Sequence, residues 1–165
     1  MRINEFSYRH GKELLQILHP DTYHEIKSLL EKSPPFVHGE IKGKTAKEDL
    51  TNIFTACGWI KEEIVTFSSD KKDAIDLYKS KIAIEMEFSR FEMFFRDFFR
   101  FMLMYEREAI DVGIIITLDE MAYERWHENV KSYRAARASL QRLIDFLTGD
   151  YSTIVKVPLY CIGIE

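Results

Sequence analysis

Cysteine is nearly absent: Cys57 and Cys161 are the only two, far apart and without metal-ligand spacing. That excludes a disulfide framework and a structural zinc site. Long apolar runs are missing too, and the first residues lack the order of a secretory signal, so a cytoplasmic protein with no membrane span is expected. No internal repeat, low-complexity tract or linker interrupts the chain. Excess positive charge is also lacking, since the formal net charge is −4. Such a balance argues against a protein that coats nucleic acid by bulk electrostatics, while leaving room for local basic faces. What is present, 46% hydrophobic and 30% charged residues over 165 positions, is the composition of one globular domain spanning residues 1–165.

One basic face lies between Arg125 and Arg142, where Arg125, Lys131, Arg134, Arg137 and Arg142 are opposed by Glu128 alone. It reads either as a phosphate-contacting patch or as a solvated helix face. The histidines His10, His19, His24 and His38 lack the spacing of a metal site and read as surface or packing residues.

The chemistry gathers between Ile75 and Phe88. From Lys81 the chain alternates as a strand does: Ile82, Ile84, Met86 and Phe88 fall on one side, Ala83, Glu85 and Glu87 on the other. Asp76, between Ile75 and Leu77, points away from an apolar face in what reads as the preceding hairpin strand, with Lys79-Ser80 as the turn. The hairpin brings one carboxylate from each strand to a common point, with Glu87 beside Glu85. Clustered anions repel one another unless a hard cation sits among them, and Mg²⁺ takes oxygen ligands of this kind while keeping some of its waters. A water so held is a nucleophile for phosphodiester cleavage. Taken alone, the alternating Glu residues more often mark the solvent face of an antiparallel sheet.

Around this stretch, periodicity predicts helices over 11–18, 22–32 with Asp21 as N-cap, 46–57 stopped by Gly58, and 90–107. Strands are expected over 64–67, 110–118 and 155–164, with a polar turn over 68–73. The helix over 90–107 carries Phe91, Phe94, Phe95, Phe98, Phe99 and Phe101. So wide an apolar arc belongs to a central buried helix or to one that also packs on a second copy. Its polar edge, Arg96 and Arg100, offers a phosphate contact. From Asp119 to Gly149 the periodicity is broken and resumes over 135–147.

Asp76, nine residues on to Glu85-x-Glu87 within Ile-Ala-Ile-Glu-Met-Glu-Phe, then a helix and Ile110-Asp111-Val112-Gly113-Ile114-Ile115-Ile116, resemble the PD-(D/E)xK nucleases. More narrowly, the chain from about Gly58 to its Pro-Leu-x-x-Ile-Gly-Ile ending is similar to the BglII/BstYI/BamHI-like group of type II restriction endonucleases. Two positions depart from the usual pattern: Ile75 stands for the Pro before the Asp, and Glu87 for the Lys after the Glu. Members of the group carry Glu or Gln there.

The resemblance implies an α/β restriction-endonuclease-like core, a central mixed β-sheet flanked by helices. It implies a Mg²⁺-dependent endonuclease cutting double-stranded DNA at a short palindromic site as a homodimer. Asp76 and Glu85 are then metal ligands, and Glu87 orients or deprotonates the attacking water or completes the metal site. A further ligand is placed at Glu48 in the helix over 46–57, with Glu62 or Glu63 as rivals, although acids in a first turn also complement the helix dipole. DNA contacts are placed at Arg125, Asn129, Arg134 and Arg137, in the segment after the 110–118 strand. Two other readings keep the fold: a structure-selective repair nuclease or junction resolvase, and a nucleic-acid-binding module without catalysis. An acidic chain disfavours the former, and the three carboxylates disfavour the latter.

Overall fold

The run from Val112 to Leu118 can be buried only by a strand covered on both faces, and it forms the inner strand around which the others pair. The computed structural model describes residues 1–33, 43–68, 71–122 and 138–165. In chain order these form β1 (Ile3–Tyr8), α1 (Gly11–Leu18), α2 (Pro20–Lys32), α3 (Gly43–Ala56), β2 (Ile60–Ser68), β3 (Lys71–Lys79), β4 (Ile82–Met86), α4 (Met93–Glu106), β5 (Val112–Leu118), α5 (Leu140–Thr148), a 3₁₀ turn (Asp150–Thr153) and β6 (Leu159–Ile164). The strands make one six-stranded mixed sheet in the order β1-β6-β5-β4-β3-β2. β4, β5 and β6 run parallel, while β1, β3 and β2 join antiparallel at the two sides. The fold is the mixed α/β sheet with flanking helices that the sequence led us to expect.

Alternation along the strands splits the core in two. On one face Ile82, Ile84, Met86, Ile114 and Ile116 pack against Leu15, Ile26, Leu30, Leu50 and Phe54 from α1, α2 and α3. On the other, Ala83, Ile115, Leu159 and Cys161 pack against Phe94, Phe98 and Phe101 of α4 and Leu143, Phe146 and Leu147 of α5. The small Ala83 and Gly113 leave room for the α4 rings: a Cβ at Gly113 would come within 2.9 Å of the Phe101 ring. No helix among the described residues is long and apolar enough to cross a membrane.

Several elements differ from expectation, each for a local reason. β1 has no strong alternation, yet it pairs with β6 along its whole length, from Ile3↔Ile164 to Tyr8↔Leu159. The second helix starts at Pro20 with His19 as N-cap, so Asp21 lies inside the first turn. Proline's fixed φ and missing N–H suit the first helical position. The β3–β4 turn is Ser80-Lys81, whose φ values of 49° and 63° are those of a two-residue hairpin loop. β3 begins at Lys71, where a polar turn was expected, and β6 begins only after Pro158, which has no N–H to give a ladder.

Gly11 opens α1 against the backbone of β6, where an added Cβ would lie 2.3 Å from the Leu159 carbonyl carbon and oxygen. Backbone in a paired strand cannot yield as a side-chain tip can. Gly11→Ala is therefore expected to lower stability by about 1–3 kcal/mol or more in urea unfolding, and an unchanged midpoint would refute this packing.

Candidate active site

The hairpin delivers its two carboxylates where β3 and β4 stop pairing. Leu77↔Ile84 is the last pair on that side. Beyond it the Met86 N–H donates to Asp76 Oδ2 at 2.8 Å. A side chain has thus taken over the role of a ladder carbonyl, and this fixes Asp76 beside β4. Strict alternation breaks at the same point, because Ile75 packs on the α4 side of the sheet and Leu77 on the other. Across from Asp76, between the pairs Lys61↔Leu77 and Glu63↔Ile75, Glu62 has a φ of 57°.

The Asp76 carboxyl is a neighbour of Glu85, close enough to act on its ionisation by charge and by hydrogen bonding. Glu85 is almost wholly buried. Burial pushes its pKa well above the usual carboxylate range, and the neighbouring acids Asp76 and Asp97 push the same way, against the pull of Arg100. Glu87 is also buried. Its Oε1 accepts from the Ser89 N–H at 2.7 Å, the Arg90 N–H at 3.0 Å and the Ser89 hydroxyl. Its backbone is tied to β5 on both sides, with its N–H donating to the Ile116 carbonyl at 3.0 Å and its carbonyl accepting from Thr117 Oγ1 at 2.7 Å.

Two cations answer this crowd. Arg100 of α4 donates through Nη1 to Glu85 Oε1 at 2.9 Å, and through Nε at 2.7 Å and Nη2 to Asp73. Its Nη1 also lies 3.7 Å from Asp97 Oδ1. This guanidinium is buried and its donors serve carboxylates, so the phosphate contact offered for it from sequence is not where the structure puts it. Lys47 of α3 places Nζ 2.7 Å from Asp76 Oδ2. Asp97, buried on α4, has its pKa raised to about 7, first by burial and then by the charges of Glu87 and Asp76, against Arg96 and Arg100.

The structure therefore brings Asp76 and Glu85 together and sets Glu87 just past the end of β4. Glu48 is exposed on α3, next to the Lys47 that reaches Asp76; Glu62 is exposed and Glu63 half-buried. Arg125, Asn129, Arg134 and Arg137 lie outside the described residues.

Sequence reading missed Asp97, Lys47 and Asp73. Asp97 carried a signal, since it occupies a core position in the spacing Phe94, Asp97, Phe98, Phe101, and a lone acid on a buried helical stripe asks for a partner.

Among the described residues, no three His, Cys, Asp or Glu side chains are spaced as a metal site. The Asp76–Glu85 contact is a two-carboxylate donor nucleus made of oxygen alone, which fits a hard divalent cation. A like-charged pair this close needs either a shared proton or a cation.

Comparison with known proteins agrees with the fold. No curated protein matches. Among solved structures, restriction endonuclease BglII complexed with a DNA 16-mer superposes with a TM-score of 0.74 at 19% identity, covering 100% of this chain and 78% of that one. Free BglII gives 0.66 at 20% identity, covering 100% and 80%. These likenesses speak to the fold; the family model described as restriction endonuclease BglII/BglIII matches residues 3–164, and on that match the chain belongs to this family of DNA-cleaving restriction endonucleases.

Proposed function

We propose that the chain is a Mg²⁺-dependent type II endonuclease that cuts a short palindromic site in duplex DNA as a homodimer. The observation that carries the reading is the contact between the Asp76 and Glu85 carboxyls at the end of the β3–β4 hairpin, in a chain of a family that is typically metal-dependent. Asp76 and Glu85 would hold the metal. When bound, the cation supplies Lewis acidity, polarising the scissile phosphate and the attacking water.

The chain's own residues do the rest. Met86 N–H aims Asp76, and Arg100 aims Glu85. Glu87 is held by the Ser89–Arg90 turn through one oxygen, and its carboxylate is the group assigned to orient or deprotonate the water. DNA recognition is assigned to Arg125, Asn129, Arg134 and Arg137.

Support for a dimer comes from α4. Its inner face fills the core, yet Phe99 remains 57% exposed in a mainly apolar groove whose lining Met102, Leu103, Ile154 and Val157 share with Glu106 and Lys156. A two-fold axis through such a face matches a two-fold symmetric DNA site.

Purified protein with plasmid DNA and Mg²⁺ is expected to give discrete fragments, and Glu85→Gln none while keeping its circular dichroism. Glu87→Gln should lower the cleavage rate by about 10²–10⁴-fold, the range of a lost general base. Full activity in either variant would remove that residue from the mechanism. Phe99→Glu should sediment as a monomer and shift double-strand cutting toward nicking; an unchanged dimer would move the interface elsewhere.

A pH effect on stability also follows. The folded chain keeps a proton on Asp97 up to about pH 7, whereas the unfolded chain releases it near 3.8. Folding therefore binds a proton in that window, so this group's contribution falls as pH rises through it. In chelated buffer the urea midpoint of Asp97→Asn should decline less between those pH values than that of wild type.

A further inference from the structure

The two cations at the carboxyl pair are held in very different ways. Arg100 is buried, with its guanidinium gripped by Asp73 and Glu85 and close to Asp97. Lys47 reaches Asp76 from α3, and its side chain stays 36% exposed. An ammonium on a four-carbon stem is a compact, strongly hydrated charge that water readily takes back, whereas a planar fork with several carboxylate partners is fixed in place. Asp76 does not depend on the lysine for its aim, because the Met86 N–H holds the same oxygen at 2.8 Å.

Resting on the metal-site reading above, we infer that Lys47 is an exchangeable counter-ion. It neutralises Asp76 while no divalent cation is bound and gives up that oxygen when one binds. Lys47 thereby sets the metal concentration at which the site fills, while Arg100 stays with Glu85 in both states. The design is economical in free energy: two acids in contact are kept compact without metal, and a half-exposed ion pair is weak enough to be displaced. Lys47 acts on the metal through Asp76, which makes it a positioning residue and not a catalytic one.

The test is an Mn²⁺ titration of the full chain without DNA, with free ion counted by electron paramagnetic resonance. Mn²⁺ shares the oxygen preference of Mg²⁺. Lys47→Met, which keeps the stem and loses the charge, should bind about two- to fivefold more tightly than wild type, the worth of a half-exposed ion pair. Lys47→Arg, which keeps the charge, should not tighten. Unchanged or weaker binding in Lys47→Met overturns the inference, as does equal tightening in Lys47→Arg, which would make the effect one of shape. Wild-type protein that binds no Mn²⁺ overturns the metal-site reading together with this inference, whereas wild-type binding without the expected shift overturns the inference alone. Circular dichroism of each variant keeps loss of fold apart from these outcomes.

Discussion

The buried contact between Glu85 and Arg100 is the constraint on which the site depends. A carboxylate taken out of water beside other acids is strongly disfavoured, and the Arg100 guanidinium at 2.9 Å opposes the rise in pKa that burial and the neighbouring acids impose on Glu85. Arg100 in turn is acceptable inside the protein because Asp73 accepts from its Nε and Nη2, with Asp97 3.7 Å from Nη1. The network joins β3, β4 and α4. Removing one member leaves another uncompensated, the situation that costs about 3–5 kcal/mol in buried ion pairs. The same network explains why acids crowd here and nowhere else along β4.

Position in the sheet explains how the site can be both built and reached. Glu85 and Glu87 follow Ala83 on the α4 side of β4, at the carboxyl end of the parallel strands, where α/β sheets leave an open crevice. Asp76 lies where β3 breaks its alternation, so it faces neither core squarely. That break lets helices from opposite faces of the sheet meet at one carboxyl pair: α3 contributes Lys47 and α4 contributes Arg100.

Much of this was legible in the chain because it rests on period-two patterning. Ile82, Ile84 and Met86 against Ala83, Glu85 and Glu87 gave the faces of β4 directly, and the unbroken β5 run gave the middle of the sheet. The carboxyl pair followed from the hairpin, even with the turn placed one residue early. Three things did not follow. β1 is held by its register with β6, a contact between the two ends of the chain that local pattern does not encode. The irregularity at Asp76 involves Glu62 on another strand, so it too is non-local. Lys47 reads as an ordinary helix-surface residue until α3 is docked on the sheet. Asp97 was the exception, being legible in spacing but hidden by the weight of phenylalanine around it.

The same geometry gives a physical reason for Glu, and not Lys, at position 87. After β4 the chain turns sharply toward α4, and the backbone N–H groups of Ser89 and Arg90 have no strand partner there. Both donate to Glu87 Oε1, at 2.7 and 3.0 Å, and the Ser89 hydroxyl joins them. A carboxylate can accept all three; an ammonium has donors only and would leave these groups without that acceptor. Glu87 is therefore required by the turn before it is required by any chemistry. The positive charge that a lysine would bring to this strand is found on neighbouring elements instead: fixed at Arg100, and exchangeable at Lys47.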